Sequence, residues 1–406
     1  MKKTFTIGFA AMLALSAFAY GCGDDDDPPN NPGGSAGTGG SGTGGSGTGG
    51  SGTGGSGTGG GGGTGGGSGG LSAAENLKLR SDMHAAIAAE TVALKSAAEG
   101  LCAAAPADAA GWQDAAKVDA MKAEWVKTRG PYERIEGVIA PLFPDTDAAI
   151  DERYDGFIEE AGAPDPNPFD DQIVTGMHAI ERILYHQGAA DALAEEKAAL
   201  GANYTEPSYP ADATQASDFK NKLCAKLVVD TGTLVTEWAA LKRPDGTLGF
   251  DLGAAYQGLL DLVAEQQEKI NNASTQLDES RYAKRTMVDI RDNLTGVKNV
   301  YALFSPRLQA RPNPADPDHD GPAIDAKIQA SLGRLQAAYD AVSGDQMPAA
   351  PDDWSAENPT PANLMTDFGK LYKAVSDEVD PANEASAAHG LEEAAALLGV
   401  ALPSGG

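Results

Sequence analysis

Between Asp171 and Gln187 the chain reads DQIVTGMHAIERILYHQ, and its residues sort onto helical rows. Ile173, Met177, Ile180 and Leu184 form one row; Val174, His178, Glu181 and Tyr185 form the next. The spacing predicts a helix over 171–186 whose apolar side carries an imidazole and a carboxylate three residues apart. Such neighbours have Cβ atoms roughly 5–6 Å apart and can share one proton or one ion, although a core histidine beside a solvated glutamate gives the same pattern. Gly176, inside that pattern, costs about 1 kcal/mol against alanine and points to close approach of another backbone. The same periodicity predicts helices near 72–103, 112–143, 147–160, 216–243, 252–274, 278–305, 322–343, 360–378 and 383–400. The clearest stripe is Met287, Ile290, Leu294, Val297, Tyr301 and Phe304. No segment shows a convincing alternation of apolar and polar residues, so the expected fold is all-α, built of helical bundles, with a seam at 244–251.

The first 70 residues depart from this pattern. Lys2 and Lys3, an apolar run from Phe5 to Tyr20 and small residues before Cys22 predict a secretory signal over 1–22, too short for a membrane span. Ala19-Tyr20-Gly21-Cys22 resembles a bacterial lipobox, which makes Cys22 a lipidated residue anchoring the chain to a membrane; cleavage and release is the alternative. Residues 23–70, an Asp run followed by SGTGG repeats, hold too little apolar surface to fold. They read as a tether with a span of about 40 Å. Residues 71–404 remain as the helical domain, with candidate sub-bundles 71–245 and 246–404. The expected location is the bacterial cell envelope, on the periplasmic or cell-surface side.

Charge narrows the partners. Asp and Glu number 58 against 30 Lys and Arg, a net charge of −28, which argues against nucleic acid and favours cations as ligands, although part of the excess serves solubility. Cys102 and Cys224 remain once Cys22 is set aside. In an oxidising compartment they are candidates for a disulfide worth on the order of 5 kcal/mol, with two buried thiols as the alternative.

Two further stretches carry candidate chemistry. Glu133 and Glu136 repeat the three-residue spacing on a helix whose apolar face is Tyr132, Ile135, Ile139 and Leu142. A carboxylate there must find a proton or a cation, and surface pairing of Glu133 and Asp151 with Arg134 or Arg153 is the alternative. DPDHDG at 316–321 places Asp316, Asp318 and Asp320 like the opening of a calcium loop, but Lys327 stands where a glutamate is needed and Pro322 follows, which argues against calcium. Phosphate-loop, serine-elbow and His-Glu-x-x-His motifs are absent from the sequence.

Gly176-x-His178-x-x-Glu181 matches the Gly-x-His-x-x-Glu signature of the imelysin family, and two other blocks resemble it. Upstream lie Trp125, Arg129 and PYERIEGVIAPLFPDTDAAIDERYD, with Gly137 where the family has proline; downstream lies ESRYAKRTMVDIRDNLTGV. The resemblance implies two four-helix bundles related by duplication, and a metal site at Glu133, Glu136, Asp151, His178, Glu181 and Glu279. It also implies iron uptake or delivery with transport-protein partners. Oxygen-rich donors with one imidazole suit iron; copper or zinc would bind as well. The family is also catalogued as a metal-dependent peptidase, and a surface module binding a protein or polymer is a third alternative.

Overall fold

The computed structural model describes residues 70–151 and 164–403. The expected signal, Cys22, the tether to residue 69 and the 152–160 part of one expected helix lie outside them. Short polar side chains set many of the helix starts: Ser72, Asp108, Asp114, Asp251, Asp320, Thr366 and Ser386 each accept a hydrogen bond from a first-turn backbone N–H. In chain order the helices are α1 (Ala73–Ala104), α2 (Ala109–Trp112), α3 (Ala115–Glu133), α4 (Glu136–Leu142) and α5 (Pro144–Ile150). Then come α6 (Gly176–Tyr185), α7 (Ala190–Leu200), α8 (Ala213–Asp218), α9 (Cys224–Ala240) and α10 (Leu252–Asn272). The last are α11 (Thr286–Gln309), α12 (Gly321–Ala341), α13 (Asp367–Val379) and α14 (Ala387–Leu398). The protein is all-α: the described residues contain no strand, and the expected seam holds one isolated antiparallel bridge, Lys242 with Leu248.

α1 packs against α3 and α9, α10 against α4, and α12 against α11 and α14. Leu79, Met83, Ile87, Leu94 and Leu101 form the buried stripe of α1. Every residue of the stripe read from Met287 to Phe304 is buried. One continuous apolar core joins the residues on both sides of 244–251.

The structure corrects several boundaries. Helix α6 begins at Gly176, not at 171, and Ile173 lies outside it, 40% exposed. Gly176 has φ 83°, so it is a left-handed turn into the helix and not an interior residue. The expected 112–143 helix is interrupted between Glu133 and Glu136, and the expected 278–305 helix starts only at Thr286. In both cases a side chain of the site sits at the break and the backbone bonds to a distant segment: the Glu133 carbonyl accepts from Asn293, and the Tyr282 and Ala283 amides donate to Glu181.

Two constraints bind the helices covalently and sterically. Cys102 at the end of α1 is bonded to Cys224 at the start of α9, with Cα atoms 5.5 Å apart. Where α4 crosses α10, a Cβ on Gly258 would stand 1.7 Å from the Gly137 carbonyl oxygen, so this crossing requires glycine. Gly258→Ala should therefore cost about 1–3 kcal/mol, read as a lowered Tm in thermal unfolding; an unchanged Tm would show that the helices part freely. Reducing the disulfide, which closes a loop of 122 residues, should lower stability by about 3–5 kcal/mol in denaturant titrations.

Candidate metal centre

Seven segments carry charged and polar side chains into one buried cluster. Helix α3 supplies Arg129 and Glu133, α4 supplies Glu136, and Asp151 caps the end of α5. From α6 come His178 and Glu181, and from beyond the seam come Lys269 of α10, Glu279 of the turn before α11, and Asp289 and Asn293 of α11. All are at most 6% exposed. The surface pairs considered for Glu133 and Asp151 do not describe their buried bonds: both carboxylates bind Arg129.

The imidazole of His178 is engaged at both nitrogens. Nδ1 lies 2.8 Å from Glu181 Oε2; Nε2 lies 3.1 Å from Asp151 Oδ1 and 3.2 Å from Glu279 Oε1. Carboxylates at both ring nitrogens favour the doubly protonated ring, against the Arg129 Nη1 that lies 3.4 Å from Nε2. Burial alone would lower its pKa; the charge of Asp151, with hydrogen bonds that Asp151 and Glu181 accept from the ring, outweighs burial and raises it well above the ordinary value. Burial would likewise raise Asp151, but Arg129 and His178 together hold its carboxyl below the usual range. Glu181 Oε1 accepts from the backbone N–H of Tyr282 at 2.9 Å and of Ala283 at 2.8 Å, so both its oxygens are committed.

Two internal cations hold the remaining acids. Arg129 contacts Glu133 and Asp151, lies 2.9 Å from Glu279 Oε1, and has its Nε 3.6 Å from Asp289 Oδ1. Lys269 Nζ lies 3.1 Å from Asn293 Oδ1, 3.2 Å from Glu136 Oε2 and 3.3 Å from Glu279 Oε2. Asn293 Nδ2 donates to the Glu133 carbonyl at 3.0 Å, and to Glu133 Oε2 and Glu136 Oε2, each at 2.8 Å. The buried carboxylates Glu133, Glu136, Asp151, Glu181, Glu279 and Asp289 thus gather around Arg129, Lys269 and the His178 ring. Burial, then Glu265, pushes Glu136 up to about 7, and burial pushes Asp289 up to about 6.

A second layer keeps these groups in place. Arg182 pairs with Glu196 at 3.0 and 3.1 Å, and Tyr282 donates its hydroxyl to Glu196 Oε2 at 2.8 Å. Trp125 Nε1 donates to the Met177 carbonyl at 3.0 Å and fixes the first turn of α6 against α3.

The structure brings Glu133, Glu136, Asp151, His178, Glu181 and Glu279 together. Arg129, Lys269, Asp289, Asn293 and Tyr282 were not identified as site residues, yet Lys269 and Asn293 each interrupt an apolar stripe and carry a readable signal there. The 316–321 segment stays apart from any such cluster: Asp316 and Asp318 are exposed, and Asp320 is occupied with Ala323 N and Asn313 N as a helix cap.

Residues 81–384 match the family model described as Imelysin. The iron uptake system component EfeO of Escherichia coli K12 and that of Shigella flexneri are each 28% identical over 231 residues, 56% of this chain and 47% of the relative. The EfeO of Escherichia coli O157:H7 is 27% identical over the same length. The chain spans about half the length of the curated relatives it matches. Because the family match runs from within α1 to the threshold of α14, it takes in every side chain of the buried cluster, and the chain belongs to the imelysin family.

Proposed function

We propose that this protein is an extracytoplasmic carrier, lipid-anchored at Cys22, that takes up iron as cargo for transport-protein partners. One observation carries the reading. Asp151, His178 and Glu279, from three separate segments, offer donor atoms that all lie within 4.8 Å of one another, and all three residues are buried. Glu181 holds Nδ1, which orients the ring and leaves Nε2 as the donor, the usual outer arrangement around a metal-binding histidine. An arriving ion takes the place of the Nε2 proton, and it relieves the excess of negative charge. Two carboxylates and one imidazole suit iron, and the curated relatives are named for iron uptake. Copper and zinc compete for the same donors. No helix of the described residues is long and apolar enough to cross a membrane. A peptidase needs a general base beside a metal-bound water; Glu181, the residue placed for that task, has both oxygens committed, which favours the carrier reading.

Iron at a hundredfold excess over Kd should stabilise the domain by about 2.7 kcal/mol, seen as a higher Tm. His178→Ala should remove that rise and the bound metal found by elemental analysis. An equal rise in the variant would place iron elsewhere.

The pH dependence has opposite signs with and without the ion. Glu136 and Asp289 have raised values when folded, so between their ordinary values and about 6 to 7 the folded state binds more protons than the unfolded one. His178, also raised, contributes stability that is complete below about 6.5 and lost as pH rises through its folded value. Metal-free Tm should therefore fall from pH 5 to 7.5, and Glu136→Gln should flatten the fall by up to about 3 kcal/mol. The rise produced by iron should grow over the same span, because binding needs an unprotonated Nε2 and ionised carboxylates. A metal-free Tm that climbs through this range would contradict the assignment.

A further inference from the structure

The ammonium of Lys269 sits in an unusual shell. Besides Asn293 Oδ1, Glu136 Oε2 and Glu279 Oε2 at 3.1 to 3.3 Å, it has Glu265 Oε1 at 3.4 Å and Glu133 Oε2 at 3.7 Å. Four carboxylates and an amide oxygen surround one nitrogen, and the lysine is 2% exposed. An all-oxygen shell of high negative charge is the environment that hard divalent cations select. Glu279 links it to the other donor set: Oε1 faces His178 Nε2, while Oε2 faces Lys269 Nζ. Glu265, with its side chain 27% exposed, is the acid of this shell that meets solvent.

Helical proteins that hold two metal ions use this layout, with carboxylates and histidine converging from several helices. In this chain the second position is filled from within. We propose that Lys269 acts as a tethered counter-ion in a latent second cation subsite, and so limits the centre to one ion. The ammonium offsets part of the charge of Glu133, Glu136, Glu265 and Glu279 without any metal, and it repels a second cation at the shared carboxylate. A centre restricted to one ion lacks the paired-metal clamp that supports two-metal chemistry, and it suits a protein that must later release its cargo. The inference rests on the assignment of the first ion to Asp151, His178 and Glu279.

Manganese(II) is a suitable probe, because it accepts oxygen ligands and has an EPR spectrum that distinguishes isolated from coupled ions. Equilibrium dialysis with elemental analysis should find one equivalent in the wild type, lost in His178→Ala, and two in Lys269→Ala. The second equivalent should bring an exchange-coupled EPR signal and should disappear in Lys269→Ala/Glu136→Ala. Because the ion is held to replace the ammonium, manganese should also restore folding if Lys269→Ala unfolds without it. Two equivalents in the wild type, a folded Lys269→Ala with only one, or a Lys269→Ala chain that manganese cannot fold each overturn the inference while leaving the His178 site standing. No manganese bound to the wild type would overturn the His178 site, and this inference with it.

Discussion

Burying Arg129 among carboxylates is the constraint on which the rest of the structure turns. A guanidinium at 3% exposure has lost its water and must be repaid by charge-assisted bonds; Glu133, Asp151, Glu279 and Asp289 provide them. Those four acids come from α3, the end of α5, the turn before α11 and α11 itself. Satisfying one side chain therefore fixes four segments relative to one another. Removing a single partner would strand a buried charge, typically a loss of 3–5 kcal/mol, so the cluster is retained or lost largely as a unit. Such a cluster is a poor way to gain stability, since well-packed apolar residues often do as well, and its retention is better explained by what the charges hold.

What they hold is a histidine poised between two states. Without an ion the surroundings favour the protonated ring, with Glu181 at one nitrogen and Asp151 and Glu279 at the other. On the proposed iron reading, the same two carboxylates and the same nitrogen would be the donors, and only a proton would leave. Little needs to move, because the parts that would otherwise rotate are fixed from outside: Glu181 by two backbone N–H groups, Tyr282 by Glu196, and Glu196 by Arg182. Preorganisation of this kind lowers the ordering cost of binding, and the proton given up makes the affinity depend on pH.

Much of the helical framework was legible because burial and periodicity coincide. The 278–305 stretch read correctly from Met287 onward, since each stripe residue is buried. The turn from Asp278 to Arg285 falls within the helix that periodicity predicts over 278–305. There, tertiary bonding prevails: Thr286 Oγ1 donates to Asp278 and accepts from Ser280 N, and the Tyr282 and Ala283 amides turn to Glu181. Spacing singles out Glu133, Glu136, His178 and Glu181, the family resemblance adds Asp151 and Glu279, and the fold brings all six into one cluster. Arg129 was in view as part of a motif, but its role was not, because a lone arginine on a helix ordinarily serves the surface. Lys269 escaped for the same reason. A lysine within the stripe of Leu262, Val263, Gln266 and Ile270 is the one clue that a buried carboxylate lay opposite.

The seam at 244–251 divides the sequence more than it divides the molecule. Arg129, Glu133, Glu136, Asp151, His178 and Glu181 precede it; Lys269, Glu279, Asp289 and Asn293 follow it. Neither set is electrically or sterically complete. The first lacks Glu279 and the amides that hold Glu181, and the second lacks the imidazole and the guanidinium. Backbone contact enforces the join: α4 meets α10 at Gly137 and Gly258, and Gly296 of α11 lies so close to Arg134 that a Cβ would stand 2.4 Å from its carbonyl oxygen. Both crossings flank the Glu133 to Glu136 break, so the glycines that let the helices touch also set the depth at which the carboxylates enter the cluster. The donor geometry is thus a property of how the two halves pack, and a change in that packing would alter the distances among Asp151, His178 and Glu279 before it disturbed any single helix.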